Sequence, residues 1–181
     1  MMKNTLVVFL ILSTMTVTFA QDTPEKTKMI GTDLLGLLGG GIIGGFGVFK
    51  NDGKNELSFF SFYFSPENEN ITAFGGGATY RIYRKGEGMR LFYGASVSVF
   101  SVSWDHEGQS DPVNTVSLWP GIEVGYRWIW GGAVTVAPYL GLNYGLGSFE
   151  ADDGTSYEFE DGSKLEGGIG PNFGIDLGYL F

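Results

Sequence analysis

Charged side chains stand at isolated positions within otherwise apolar or small-residue segments of this 181-residue chain. These arginines and carboxylates are Arg81, Arg90, Glu123, Arg127 and Asp176, with Asp33 as a further candidate. Buried ions need partners, so a set of mixed sign suits a network of ion pairs that fills a narrow interior. We favour that interpretation, and a polar conduit or a proton path stays open as the alternative.

The segment WDHEGQSDP holds His106, the single histidine of the chain. A histidine beside a serine and a carboxylate is a set that acyl transfer and hydrolysis use. Here Ser103, Asp105, Glu107 and Ser110 are close in sequence, but all of them fall in one loop and not on neighbouring rigid strands. A solvated polar loop is therefore the favoured interpretation, and we predict no catalytic residue.

Carboxylates are dense in EADDGTSYEFEDGSKLE, which offers oxygen ligands of the kind that Ca²⁺ and Mg²⁺ prefer. The spacing does not match an EF-hand loop, and the chain has no zinc-ligand spacing, phosphate loop or nucleotide fingerprint. We therefore predict no metal site and no cofactor. The net charge of −9 argues against nucleic acid as a partner, because phosphates need basic side chains.

The elements that must position these residues are strands, because apolar residues recur at every second position after residue 50 and helical periodicity fits none of the segments. In TVSLWPGIEVGYRW, for example, Val124 and Tyr126 fall on one face, and Glu123 and Arg127 on the other. These last two side chains lie about 13 Å apart along the strand. We expect each to pair with a neighbouring strand.

Two segments are harder to interpret. In ELSFFSFYF we assign Phe60, Phe62 and Phe64 to the apolar face and Phe59 and Tyr63 to the opposite face. Residues 30–49 are read as two strands that turn at Gly39 to Gly41, because this makes the total an even number, as in bacterial single-chain barrels. The connections are alternately short and long, and the longer ones at 65–70, 104–113 and 149–166 carry most of the acids.

The pattern predicts an all-β fold, a closed antiparallel up-and-down barrel of eight transmembrane strands. A soluble barrel would place Lys, Glu and Gln on its outer face, whereas here the less apolar face is Gly, Ser, Thr, Asn and Ala with few charges. Turned inward, the bulky apolar face would crowd an eight-stranded interior. We therefore expect the apolar face to meet lipid. We also expect the inward glycines to make room for Trp119, Tyr139, Phe59, Tyr63 and Phe92.

Aromatic residues on the apolar face collect near strand ends, as in the aromatic girdles of membrane barrels. They are Tyr80, Tyr93, Tyr126, Trp128, Tyr179 and Phe181 at one end, and Phe64 and Tyr144 at the other. Three prolines depart from the pattern. We expect Pro138 and Pro171 to lie near strand starts, and Pro120 to mark either a bulge or an error in the register assigned there.

The first twenty residues have the features of a secretory signal peptide: Lys3, an apolar run and a small-residue cleavage site at Ala20. The expected organisation is a signal peptide at 1–20, a short segment at 21–29 and a barrel at 30–181. We therefore expect export to the outer membrane.

With these residues in view, the chain resembles the small eight-stranded outer-membrane barrels of the OmpA transmembrane-domain and OmpX type. The resemblance covers most of residues 30–181. In that family the last strand ends on an aromatic residue and is read by the barrel assembly machinery during insertion. The residues that match this insertion signal are Phe173, Ile175, Leu177, Tyr179 and Phe181.

The resemblance names no activity, since members of such families have diverse functions. We favour a non-enzymatic barrel whose acidic extracellular loops carry a structural or surface-interaction role, with outer-membrane lipid, the assembly machinery and an unidentified extracellular molecule as partners. Two alternatives stay open. One is a lipid-modifying enzyme that acts through the His106 loop, and the other is a narrow channel or small-ligand carrier.

Overall fold

The computed structural model describes residues 26–65, 71–84, 90–104, 112–147 and 167–181, with the side chain of residue 90 excluded. Within these ranges the chain forms eight strands and one short helix. They are β1 (Lys28–Asp33), α1 (Leu34–Leu38), β2 (Gly41–Lys50), β3 (Asn55–Phe64), β4 (Ile71–Tyr83), β5 (Arg90–Trp104), β6 (Val113–Trp130), β7 (Val134–Gly145) and β8 (Gly168–Leu180). The predicted signal peptide lies outside the described residues.

Each strand pairs antiparallel with the next along the chain, and β1 pairs with β8 to close the barrel. This confirms the predicted eight-stranded, up-and-down architecture. We call the end that holds the β2–β3 turn and Phe181 the lower end, and the opposite end the upper end. Closure leaves the lower half of the wall without a free edge, as a hydrocarbon environment requires.

The first hairpin differs from the prediction. Two strands do form, but β1 begins at Lys28, two residues before the expected start, and ends early at Asp33. The five residues Leu34–Leu38 then form α1, and β2 begins at Gly41. The helix forms because the Asp33 carboxylate accepts a hydrogen bond from the Gly36 N–H, 2.7 Å away, and so caps its first turn.

The assignment of faces in β3 was wrong. Phe59 and Tyr63 are exposed on the outer wall, whereas Phe62 and Phe64 pack inside the barrel against Ile71, Ala73, Val102 and Trp104. The physical reason is Glu56, which is fully buried and lies an even number of residues before Phe60. Because successive side chains of a strand alternate between its faces, an inward carboxylate brings the even-numbered phenylalanines inward with it. Phe64 therefore does not belong to the upper aromatic girdle.

Elsewhere the predicted outer face is exposed in the structure. Exposed apolar side chains on β4 to β8 include Phe74, Tyr80, Tyr93, Val97, Val116, Ile122, Leu140, Leu142, Ile169 and Phe173. Tyr144 and Tyr179 lie ten strand positions apart on this face and pair with Ile169 and Val134. At a tilt near 40° that spacing corresponds to about 25 Å of height, the usual thickness of the apolar band of such barrels.

The prolines produce no bulge. The β6–β7 pairs above and below Pro120 keep one register, and so do those around Pro138. Each of these two prolines faces a point where the β6–β7 ladder is interrupted, because its ring replaces the donor. Pro171, the fourth residue of β8, faces away from β7, on the side where β1 has already ended. There its missing N–H leaves no ladder position unfilled.

Inward glycines make room for large side chains, as expected for Trp119, Tyr139 and Phe92. A Cβ built on Gly125 would lie 2.3 Å from Phe92 Cζ and 2.5 Å from the Pro138 carbonyl oxygen. Gly145 lies similarly close to Trp119, and Gly174 to Tyr139. The prediction was wrong for Phe59 and Tyr63, which face outward.

We predict that Gly125→Ala lowers the free energy of unfolding by about 1–3 kcal/mol, because the added methyl group overpacks the interior. The measurement is urea unfolding of the barrel in phospholipid vesicles, followed by tryptophan fluorescence. Gly44→Ala is the control, since a Cβ at Gly44 meets no atom within 4 Å. Equal stability of the two variants would contradict the described packing.

Candidate functional site

The barrel interior holds the charged residues that the sequence singled out. Arg81 of β4 is paired in register with Glu56 of β3 and with Gly94 of β5. Gly94 is in turn paired with Glu123 of β6. Since Gly94 has no side chain, the Arg81 side chain extends across β5 and reaches Glu123. Its Cγ lies only 3.1 Å from where a Cβ on Gly94 would stand, so the crossing depends on the glycine.

Arg81 is the centre of this network. Its Nε donates to Glu123 Oε1 at 2.5 Å, and its Nη1 donates to Asp176 Oδ2 at 2.6 Å. Glu56 Oε1 lies 3.9 Å from the same Nη1. The guanidinium also lies over the Phe92 ring, 4.6 Å from its centroid. One cation thus links β3, β4, β6 and β8 across the lumen.

A second arginine forms the lower layer of the network. Arg127 Nη2 lies 3.1 Å from Glu56 Oε2, and the Tyr83 hydroxyl donates to the same carboxylate. Arg127 is 1% exposed, and Nη1 contacts Met29 Sδ at 3.1 Å. Beside this layer, buried Phe92, Tyr83 and Ala137 form an apolar cluster with Phe49 and Tyr139 packed against it. Together these groups fill the lower lumen.

Asp33 is buried but stands apart from both arginines. Its Oδ1 accepts from the Gly36 N–H and its Oδ2 accepts from the Ile175 N–H at 2.9 Å. Asp33 is also the last residue of β1 that pairs with β8, opposite Asp176. Its carboxylate therefore caps α1 and binds the edge of β8 directly above the last β1–β8 pair.

The predicted set is thus brought together in large part. Arg81, Glu123, Asp176 and Arg127 share one network, and Glu123 and Arg127 pair across strands with Arg81 and Glu56 respectively. The side chain of Arg90 lies outside the described residues. Sequence reasoning missed Glu56, which contacts both arginines. The signal was available, because a carboxylate inside an apolar strand is expected to face the polar interior.

Above the network lies a cavity of about 150 Å³. Its polar lining combines charged side chains with hydroxyl and amide side chains. The charged ones are Asp33, Glu56, Arg81, Glu123 and Asp176, and the neutral ones include Ser58, Thr79, Ser96, Ser98, Asn143 and Asn172. Above them, Phe100 stacks on Trp119 at 5.4 Å, and Phe62 packs edge-on against Phe100. Apolar side chains therefore lie above the polar lining, and the ion pairs lie at its lower end.

Two further findings concern other kinds of site. Among the residues the structure describes, no cluster of His, Cys, Asp or Glu is arranged to hold a metal ion. Within the same ranges, no helix is long and apolar enough to cross a bilayer. His106 and the acidic segment 149–166 lie outside the described residues.

No protein-family model and no curated protein matches the sequence. Among solved structures, the chain is similar to the N-terminal β-barrel domain of OprF from Pseudomonas aeruginosa. The two share 14% sequence identity with a TM-score of 0.50, over 87% of this chain and 98% of the OprF domain. This chain has the OmpA-type eight-stranded barrel fold.

In this OmpA-type barrel the lumen network fills part of the interior and pairs the charged groups that the strands direct into it. Eight strands enclose a space that side chains fill, and charged groups in it are tolerated only when they are paired and hydrogen-bonded. Arg81 and Arg127 together face Glu56, Glu123 and Asp176, so each cation has at least one carboxylate within 3.1 Å. These ion pairs connect β3, β4, β6 and β8 inside the barrel and so stabilise the arrangement of the strands.

We predict that Arg81→Met lowers the free energy of unfolding by about 3–5 kcal/mol, because it leaves buried carboxylates without their cation. Urea unfolding in vesicles measures this. Arg84→Met is the matched control, because Arg84 is an exposed arginine just beyond the end of the same strand. If the two variants unfolded at the same urea concentration, the network would not hold the barrel together.

Proposed function

We propose that the protein is a non-enzymatic barrel of the outer membrane that serves as a structural or surface-interaction component. The observation that supports the proposal is that the outer and inner walls of the barrel differ in character. The outer wall presents exposed apolar side chains between aromatic residues near both ends, whereas the inner wall holds paired ions. Such an exterior is stable in hydrocarbon, and contiguous apolar surface of this extent is rare on soluble monomers.

The lower end supports the membrane part of this proposal. Tyr80, Tyr93, Tyr126 and Tyr179 are exposed on the outer wall near that end, and Lys26 Nζ lies 5.6 Å from the centroid of the Tyr179 ring. Amphipathic aromatic rings and lysines are the side chains that favour the membrane–water interface. The lower end would then lie at the periplasmic interface.

The interior supports a structural role. Described side chains cover the lumen above and below the cavity, and both arginines are held by carboxylates at short distance. Solute passage along the axis would require these ion pairs and the Phe100–Trp119 stack to separate. We therefore propose that interactions with other molecules occur through the acidic loops, with an extracellular molecule of unidentified chemistry as the partner.

We predict that the protein, expressed with residues 1–20, remains in the membrane pellet after alkaline carbonate washing and enters solution only with detergent. The reason is the apolar outer wall, since transfer of such a surface to water is unfavourable by about 25 cal/mol per Å². Fractionation and immunoblotting measure it. Recovery of a folded, soluble monomer without detergent would refute the membrane assignment.

We further propose that β8 carries the signal that the barrel assembly machinery reads, through Phe173, Ile175, Leu177, Tyr179 and Phe181. Phe173 and Tyr179 are exposed on the outer wall, and so is Phe181 just beyond the strand. The Phe181 backbone exchanges two hydrogen bonds with Lys28 and completes the β1–β8 ladder. The same residues that finish closure thus present an apolar face to a binding partner.

We predict that Phe181→Ala lowers the amount of protein in the outer membrane but leaves refolding in detergent nearly normal. The lost side chain is half-exposed, so its removal should change stability by only about 1–2 kcal/mol. Leu142→Ala is the control, because Leu142 is an exposed apolar residue on the neighbouring strand. The assembly role is refuted if both variants reach the membrane equally, or if Phe181→Ala also fails to refold.

A further inference from the structure

The barrel wall has a lateral slot in its upper half. The β1–β2 pairs end at Gly31↔Gly45, and the β1–β8 pairs end at Asp33↔Asp176. The Thr32 hydroxyl donates to the Ile43 carbonyl, so β1 still lies beside residues 43–44 of β2. Above this point, residues 41–42 of β2 and residues 168–174 of β8 have no β1 residue between them. We call this space the slot. On its other side β8 stays paired with β7 up to Gly168, so β8 itself remains part of the wall.

Helix α1 stands in the slot but is too short to fill it. It packs against both β2 and β8. Seven residues of β8 span about 23 Å along the strand, whereas a five-residue helix is only about 7–8 Å long. Roughly two thirds of the slot edge therefore lacks a helical neighbour within the described ranges. The Asp33 carboxylate holds α1 and the β8 edge together through the N–H groups of Gly36 and Ile175.

The free edge of β8 presents polar backbone at the depth of the apolar band. Odd-numbered residues of β8 direct their backbone groups to the β1 side, as the Phe181–Lys28 bonds show. In the slot these residues are Ile169, Pro171 and Phe173. Pro171 carries no N–H, so this edge offers two N–H donors and three carbonyl acceptors without a strand partner among the described residues, and unpaired backbone groups are costly in hydrocarbon. A molecule with hydroxyl or amide groups, which both donate and accept hydrogen bonds, would satisfy them.

The cavity reaches the lower corner of the slot. Besides its hydroxyl lining, it is bordered by Thr32, Asp33 and Ile43, the residues where β1 ends and β2 faces α1. Asn143 Oδ1, one of the groups lining it, is a buried acceptor without a hydrogen-bond partner among the described residues. At about 30 Å³ per water the cavity has room for about five water molecules or a head group of similar size.

The surroundings of the slot define the chemistry of its occupant. Outside, the exposed side chains of Leu38, Ile42, Ile169 and Phe173 form an apolar border. Inside, Glu56, Glu123 and Asp176 face two guanidinium groups that are already paired, and Asp33 adds a fourth carboxylate. An apolar chain suits the border, hydroxyl or amide groups suit the edge backbone and the Asn143 acceptor, and the excess of carboxylates disfavours an anionic head group.

We propose that the slot is a lateral binding site for a single-chain amphiphile, whose uncharged head group with hydroxyl or amide groups enters the cavity from the lipid phase. The hydrocarbon chain lies along the apolar border, and α1 moves aside to admit the head group. This adds a ligand class to the membrane barrel proposed above and depends on its outer wall facing lipid. It does not depend on the loops.

The test places one cysteine in the cavity of the full chain, which has no native cysteine. Ser96→Cys lines the cavity, and Val97→Cys on the outer wall is the matched control. Each variant is placed in phosphatidylcholine vesicles and treated with N-dodecylmaleimide, which partitions into lipid, or with a cationic, membrane-impermeant thiosulfonate. Mass spectrometry of the peptide reads labelling at the chosen position, and circular dichroism verifies the β-structure of each variant.

Two further cysteines are added to each variant to form a disulfide that holds α1 against β2. We call this disulfide the lock. A Cβ on Gly36 would lie 3.1 Å from Ile43 Cγ1, so Gly36→Cys with Ile43→Cys suits a disulfide that fixes α1 to β2. We expect the dodecyl reagent to label Ser96→Cys, and the oxidised lock to slow that labelling about tenfold or more, since the rate falls with the fraction of open molecules. Labelling of Val97→Cys should not depend on the lock.

Three outcomes would overturn the proposal. Fast labelling of Ser96→Cys by the cationic reagent would show an axial, aqueous route. Equal dodecyl labelling with and without the lock would show that α1 does not control entry. Absence of dodecyl labelling would show a closed wall or, if the protein is dimeric in native micelles, a second copy paired with the β8 edge. The membrane assignment is tested separately, because Val97→Cys must react with the dodecyl reagent in each case.

Discussion

The structure depends on one constraint, that backbone donors and acceptors in hydrocarbon must be paired within the protein. Eight antiparallel strands meet it by closing on themselves, and the closure rests on the shortest strand. β1 contributes six residues, of which Met29 to Asp33 pair with β8. Where β1 ends, the Asp33 carboxylate takes the Ile175 N–H, and Pro171 removes a donor from the remaining edge. Above the end of β1, the Asp33 carboxylate supplies one acceptor that a longer strand would have supplied, and Pro171 removes the need for another.

Closure then determines what the interior holds. Inward side chains face a narrow space, so large ones need glycine opposite them and charged ones need partners. Gly94 illustrates how the two requirements combine, because its missing side chain lets Arg81 cross β5 to reach Glu123. The ion-pair network and the aromatic packing both follow from the narrow interior of an eight-stranded barrel. The cavity remains where the residues are small and hydroxylated.

The sequence predicted the architecture where alternation was unambiguous. In β4 to β8 one face is apolar and the other is glycine or polar, so these strands, their faces and the main charged residues followed from period two, whereas the total of eight rested on the even strand number of bacterial barrels. In β3 the run FFSFYF is aromatic on both faces, and alternation alone does not choose between them. Glu56 decides the faces, since its carboxylate needs Arg81 and Arg127. The helix at Leu34–Leu38 was missed because GTDLLGLLGGG fits a glycine-broken strand equally well, and Asp33 caps it only in the folded barrel.

Spin labels placed one at a time at residues 57–63 of the barrel in vesicles report directly whether the apolar face meets lipid and whether Glu56 sets the faces of β3. Oxygen, which concentrates in lipid, and a water-soluble nickel complex each relax a label that they reach. We expect high oxygen accessibility at Leu57, Phe59, Ser61 and Tyr63 and low oxygen accessibility at Ser58, Phe60 and Phe62. The opposite alternation, or nickel accessibility at the odd-numbered positions, would show that the odd-numbered residues of β3 do not face lipid.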